Sequence, residues 1–128
     1  TQIQTATPGQ LILLLYEGGI KFCKLAKGSI EENNIMNANN YIIKAQDIVS
    51  ELMSSLDMKS GIEIANNLYS LYDYMLTRLI DANLKKDVDA LDEVQKLLEE
   101  LRDSWKIAIK NTGGVKGGGT IGGLGNRV

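Results

Sequence analysis

One stretch of the chain, residues 68–83, carries more apolar side chains than a single neighbouring helix could bury. Its sequence, LYSLYDYMLTRLIDAN, has the period of an amphipathic helix and contains three of the five tyrosines. Its apolar side chains span an arc of roughly 180°, whereas a core-facing stripe needs only about 100°. The members of this arc are Leu68, Tyr69, Leu71, Tyr72, Met75, Leu76, Leu79 and Ile80. The stretch therefore predicts a helix with surplus apolar surface, which usually marks a partner site.

Tyr74 lies outside even this wide arc, on the polar side of the same predicted helix beside Thr77 and Arg78. A large amphipathic ring at this position has no evident partner within the chain, so we expect it to contact another molecule. The alternative is a broad core stripe with one solvent-tolerant tyrosine, since single exposed apolar residues are common on soluble proteins. The sequence alone leaves both interpretations open.

Length and charge restrict the classes of protein to which the chain can belong. Its 128 residues suit one domain with its own core, and a net charge of -2 supplies no basic field for nucleic acid or anionic membranes. The longest apolar run, LILLLY from Leu11, is far shorter than the ~20 residues of a membrane span. No signal peptide is visible, and the lone Cys23 fits a reducing compartment. We expect a cytoplasmic protein without membrane insertion and without nucleic-acid binding.

Four segments have the pattern of amphipathic helices. The first begins at a Thr7 cap followed by Pro8 and continues to about Gly28, where the glycine provides a stop. The other three cover approximately residues 35–56, 62–82 and 88–110, the last with Asp87 as its cap. Short connections between four long helices predict an all-α fold, an antiparallel up-down four-helix bundle.

The composition changes sharply at residue 112. Eight of the 13 glycines lie in the final 17 residues, where a packed element would lose too much chain entropy. We therefore expect a helical bundle domain at residues 1–111 and a disordered Gly-rich tail at residues 112–128. Gly117, Gly119 and Gly122 match the dinucleotide fingerprint, but no strand precedes them and no helix follows, so we reject that match.

Catalytic and metal-binding sites find little support in the sequence. The chain has no histidine, which excludes a di-iron Glu-x-x-His bundle and a Ser-His-Asp triad, and one cysteine cannot build a zinc site. Adjacent carboxylates such as Glu99 and Glu100 point about 100° apart on a helix and indicate a solvated face. We expect no cofactor, no metal and no enzymatic activity.

The remaining chemistry is apolar recognition by side chains that a minimal core does not need. On the first helix Leu13 and Ile20 lie one heptad apart, away from the stripe through Leu11 and Leu15, and on the second Met36 and Ile43 repeat the arrangement. Such ridges suit an amphipathic helix or an extended chain laid between bundle helices. The predicted partner-binding residues are Leu13, Ile20, Ile43, Leu71, Tyr74 and Ile107.

Over about residues 5–110 the sequence resembles the flagellin export chaperones of the FliS family. The resemblance rests on four segments, TATP with the following LILLLYEGGIKF, KAQDIVSELMSSLD, NLYSLYDYMLTRLIDANLKKD and LRDSWKIAIK. It implies a small cytoplasmic helical bundle that binds the C-terminal segment of new flagellin and prevents premature polymerisation. It also implies delivery of flagellin to the flagellar type III export gate. The alternative is a structural bundle that buries its surplus apolar faces by self-association and has no client.

Overall fold

The computed structural model describes residues 6–57 and 61–112 of the chain. Within these ranges it contains four helices and no strand, which confirms the predicted all-α four-helix fold. The helices are α1 (Pro8–Glu31), α2 (Ile35–Ser54), α3 (Ile62–Lys85) and α4 (Val88–Thr112). Thr112, the first residue of the predicted Gly-rich tail, is the last residue of α4, and residues 113–128 lie outside the described residues.

Three of the four helices, α1, α2 and α4, begin at a side chain that satisfies free backbone N–H groups, whereas α3 begins at Gly61 without a side-chain cap. The Thr7 hydroxyl accepts a hydrogen bond from the Gln10 backbone N–H, and the Gln10 side chain accepts one from the Thr7 N–H. This reciprocal capping box confirms the predicted start of α1. At the start of α2 the Asn34 side chain accepts a single capping hydrogen bond from the N–H of Asn37. Asp87, as predicted, accepts from the first backbone N–H groups of α4.

Two helix ends differ from the sequence-based prediction because the left-handed residue that stops each helix comes later than expected. Gly28 stays inside α1, which continues to Glu31 and ends before Asn33, whose φ is +61°. Helix α3 continues beyond Ala82 to Lys85 and is followed by the C-cap residue Lys86, whose φ is +51°. The Lys86 ammonium donates to the backbone oxygen and to the amide oxygen of Asn83, which offsets part of the strain at that position.

Each helix packs beside the next one along the chain, and α1 also packs beside α4. Trp105 near the end of α4 donates its indole N–H to the carbonyl of Gly9 at the start of α1, at 2.7 Å. Lys27 at the other end of α1 pairs with Asp92 at the start of α4. These two contacts make α1 and α4 antiparallel and close the ring of four helices.

One continuous apolar cluster fills the centre of the bundle, and α1 lies close to both α2 and α4. Gly18 and Gly19 face Ile48 of α2 and Leu98 of α4, and a Cβ atom at Gly19 would lie 2.9 Å from Leu98 Cδ1. The absence of side chains there lets α1 approach both neighbours closely. The buried members of this cluster are Tyr16, Ile20, Cys23, Ala26, Ile42, Ala45, Val49, Leu52, Tyr72, Met75, Leu79, Ala82, Ala90, Leu91, Val94 and Leu98.

Candidate partner-binding surface

Large apolar side chains remain exposed along α2 and α3. On α2, Met36 is 74% exposed and Ile43 is 43% exposed, and the seven-residue spacing places both on one side of the helix. On α3, Tyr69 and Ile80 are each 48% exposed and are separated by about three helical turns. Leu84, one turn beyond Ile80, is also exposed. We call these five residues the α2–α3 surface.

The register between α2 and α3 brings the two rows to the same level of the bundle. The Asn83 amide of α3 donates a 2.7 Å hydrogen bond to the Asn39 amide oxygen of α2, which fixes the antiparallel alignment. Ile43 lies four residues after Asn39, and Ile80 lies three residues before Asn83. Because the helices run in opposite directions, Ile43 and Ile80 occupy nearly the same height. The α2–α3 surface therefore offers paired apolar anchors from two helices.

The six predicted partner-binding residues do not form one patch. Ile43 belongs to the α2–α3 surface, whereas Leu13 is half-buried on α1. Leu71 is half-buried and packs against the core from α3. Tyr74 and Ile107 are exposed, at 44% and 61%, on α3 and α4. A single partner segment that contacted all of them would have to wrap around several faces of the bundle.

Ile20 is the clear error among these residues. We expected it outside the core, but its side chain is only 3% exposed and belongs to the central apolar cluster. The reason is that α1 packs against two helices, α2 and α4, so its buried arc is wider than a single stripe. Leu11 shows the reverse error, because it was placed on the core stripe and is 45% exposed.

Tyr74 has an intramolecular partner, contrary to the expectation that it had none. Its hydroxyl donates a 2.6 Å hydrogen bond to Glu93 of α4, and the Arg78 side chain donates to the other oxygen of the same carboxylate at 2.8 Å. The hydrogen bond to Glu93 raises the pKa of Tyr74, and the two donors lower the pKa of Glu93. Tyr74 therefore links α3 to α4 while one part of its ring stays in solvent.

The residues that sequence reasoning missed are Tyr69, Ile80 and Leu84. The first two belong to the wide apolar arc, and Leu84 lies beyond the predicted end of that helix at about residue 82. The signal was present, because an arc of roughly 180° exceeds what neighbouring helices cover and its margin must stay exposed. The sequence did not show which margin that was. Asn83 bonds to α2 while Tyr74 bonds to α4, so helical spacing puts Ile80, one turn before Asn83, on the margin beside α2. Tyr69 lies three turns before Ile80 on the same margin.

The Cys23 thiol and the acidic side chains are the groups of the described residues that could serve as a nucleophile or as metal ligands. Cys23 is fully buried, and burial raises the pKa of its thiol to about 12, so it stays protonated and unreactive. In the part of the chain that the structure describes, His, Cys, Asp and Glu form no group able to hold a metal ion. None of the four described helices combines the length and the apolar composition that a membrane span requires.

Comparison with known proteins agrees with the resemblance seen in the sequence. The family described as "Flagellar protein FliS" matches residues 1–112. The chain belongs to the FliS family. It is 42% identical over 109 residues to the flagellar secretion chaperone FliS of Bacillus subtilis, covering 85% of this chain and 80% of that protein. Membership of this family makes the chain a flagellar secretion chaperone by class.

Two further relatives show similar coverage. The flagellar secretion chaperone FliSB of Pseudomonas aeruginosa is 40% identical over 104 residues, which is 81% of this chain and 82% of the relative. The FliS protein of Salmonella typhimurium is 37% identical over 105 residues, which is 81% of this chain and 78% of the relative. The similarity extends over most of the bundle in each case, so it is not confined to one helix.

Proposed function

We propose that the protein binds the C-terminal segment of flagellin in the cytoplasm, keeps it from polymerising prematurely and delivers it to the type III flagellar export gate. Family membership supports the general role of a secretion chaperone, since the relatives carry that name. The α2–α3 surface is the observation that carries the binding role, because it provides apolar anchors in a row that the bundle itself does not bury. The action is binding without catalysis.

The α2–α3 surface has the size and chemistry to hold an amphipathic segment. Fully burying an aliphatic or aromatic side chain gains about 1.5–3 kcal/mol, so covering half-exposed anchors gains about half as much each. Ordering a disordered segment costs about 2–5 kcal/mol or more, which several such anchors together can offset. Anchors at i, i+3, i+4 and i+7 of a bound helix would fit the row.

The predicted contacts at Leu13, Leu71, Tyr74 and Ile107 stay part of the proposal as outlying positions. They lie on the sides of α1, α3 and α4, so a long segment would reach them only by continuing beyond the α2–α3 surface. A short segment would cover Ile43 and Ile80 alone. The length of flagellin needed for full affinity therefore distinguishes a local contact from a wrapped one.

Isothermal titration calorimetry with a peptide of the flagellin C-terminal segment tests the proposal. We expect micromolar or tighter binding with a strongly negative heat-capacity change, because apolar surface is removed from water. A peptide of the same composition in scrambled order is the matched control and should not bind. Absence of binding by the native peptide at micromolar concentrations would contradict the proposal.

Self-association without a client is the competing function, and sedimentation distinguishes it. A monomer that binds the peptide one to one agrees with the chaperone role. A tight dimer whose formation is abolished by Ile80→Asp, with no peptide binding, would show that the α2–α3 surface serves assembly of this chain.

A further inference from the structure

Two carboxylates lie within the rows of apolar residues on the α2–α3 surface. Asp47 follows Ile43 by one helical turn on α2, and Asp73 follows Tyr69 by one turn on α3. Both residues are exposed, and neither carboxylate has an ion-pair partner among residues 6–57 and 61–112. The surface therefore combines apolar anchors with uncompensated negative charge.

The two carboxylates occupy almost the same level of the bundle. The hydrogen bond between Asn39 and Asn83 sets the register, so the position eight residues after Asn39 on α2 faces the position eight residues before Asn83 on α3. Asp47 lies eight residues after Asn39, and Asp73 lies ten residues before Asn83, so the two differ by two residues along the helices. At 1.5 Å per residue this offset along the helix axis is only about 3 Å.

Three cations near this surface are directed to other partners, whereas Lys85 in the last turn of α3 forms no ion pair among the described residues. Lys44 of α2 lies over the ring of Phe22 on α1, with its ammonium 5.9 Å from the ring centroid. Arg78 of α3 binds Glu93 on α4, and Lys86 binds Asn83. None of these side chains pairs with Asp47 or Asp73 in the described structure, so the negative charge on this surface remains available to a partner.

A segment that covers Ile43 and Ile80 would also lie against the two carboxylates and remove part of their water. Partial desolvation of a carboxylate is unfavourable unless the partner supplies a cation or hydrogen-bond donors. An apolar segment alone would leave both charges uncompensated. A segment with cations beside its apolar anchors would instead gain from them.

We infer that the bound flagellin segment carries Lys or Arg side chains next to its apolar anchors and that Asp47 and Asp73 receive them. This inference rests on the proposed function, because it specifies the chemistry of the segment that covers the α2–α3 surface. It makes the surface selective among apolar segments, since an acidic amphipathic segment of equal hydrophobicity is repelled.

A charge-swap titration tests the inference. The flagellin C-terminal peptide is titrated at low salt into the wild-type chain and into the double variant Asp47→Lys/Asp73→Lys. The double variant should fold, because both substituted residues are exposed. We expect roughly tenfold weaker binding to the double variant, and a smaller difference at high salt. A peptide with its Lys and Arg changed to Glu should bind the wild type weakly and regain affinity for the double variant.

Glu100→Lys is the matched control variant, because Glu100 is exposed on α4 and lies outside the α2–α3 surface. This change should leave the affinity for the native peptide within about twofold, as expected for a screened distant charge. Circular dichroism of all variants verifies that the helix content is retained.

The two possible failures are distinguishable. If the native peptide binds the wild type and the double variant equally, or contains no Lys or Arg, the inference is overturned and the proposed function stands. If the native peptide does not bind the wild type at all, the proposed function is contradicted and the inference falls with it.

Discussion

The hydroxyl oxygens of Tyr16 on α1 and Tyr72 on α3 lie 2.6 Å apart in the middle of the core. Their side chains are 4% and 2% exposed, and each hydroxyl is the other's hydrogen-bond partner. Burial is the main cause of the raised pKa of both phenols, so both stay neutral at physiological pH. The pair joins two helices that face each other diagonally across the bundle.

Removing one member of this pair should destabilise the protein more than removing both hydroxyls. Tyr72→Phe leaves the Tyr16 hydroxyl buried without a partner, which we expect to lower the free energy of unfolding by about 1–3 kcal/mol. Tyr16→Phe/Tyr72→Phe removes both polar groups and should lie close to the wild type. Urea unfolding of the two single variants and the double variant measures this, and a double variant with the summed losses of the singles would contradict it.

Two glycines of α1 predict opposite responses to alanine. Nothing lies within 4 Å of a Cβ atom at Gly28, so Gly28→Ala should raise the free energy of unfolding by about 0.5–1 kcal/mol through helix propensity. At Gly19 the new Cβ would meet fully buried Leu98 at 2.9 Å. Overpacking there should cost about 1–3 kcal/mol and exceed the propensity gain. Thermal unfolding of both variants measures the difference, and equal melting temperatures would be inconsistent with this packing.

Client binding should depend on Ile43 more than on exposed leucines elsewhere. Ile43→Asp places a charge among the apolar anchors and should weaken binding of the flagellin peptide by roughly tenfold. Covering the half-exposed isoleucine gains about half of the 1.5–3 kcal/mol of full burial, and desolvating the new carboxylate adds a further cost. Leu14→Asp is the matched control, because Leu14 is 59% exposed on α1 and lies outside the α2–α3 surface. Calorimetry with unchanged circular dichroism measures both, and equal losses in the two variants would argue against a localised site.

Tyr74 provides a separate prediction about how far the client extends. Tyr74→Phe removes only the hydrogen bond to Glu93, whereas Tyr74→Ala also removes the exposed ring. If the client reaches this side of α3, the alanine variant should bind the peptide several-fold more weakly than the phenylalanine variant. Equal affinities for the two variants would place Tyr74 outside the binding site and leave it a link between α3 and α4.

Acid should weaken the bundle through two carboxylates of α4. Hydrogen bonds from Tyr74 and Arg78 lower the pKa of Glu93 from its ordinary value, and hydrogen bonds from Lys27 and Lys96 lower the pKa of Asp92. Unfolded carboxylates take up protons first as the pH falls, so this stabilisation is complete above about pH 5 and is lost below about pH 4. Melting temperatures between pH 7 and pH 3 should fall less for Glu93→Gln than for the wild type, and identical profiles would contradict the assignment.

The sequence determined the helices because their signals are local. The Thr7 and Asp87 caps, the apolar period and the short connections were all visible in neighbouring residues, and the structure confirms the four helices. The errors at Gly28 and Ala82 arose because a left-handed stop can be made by Asn33 or Lys86 as well as by glycine. The family was also visible, since its segments are spread along the whole bundle.

Which apolar residues remain outside was decided only by the tertiary structure. The width of a buried arc depends on how many helices pack against it and at what register, and neither quantity is written in one helix. Ile20 is buried because α1 has two neighbouring helices, and the Tyr74 hydroxyl is bound by Glu93 of α4. Ile80 stays exposed at nearly the same height as Ile43 because the hydrogen bond between Asn39 and Asn83 sets the register of α2 and α3. These contacts join residues that are distant in the chain, so helical periodicity could predict a surplus of apolar surface but not its location.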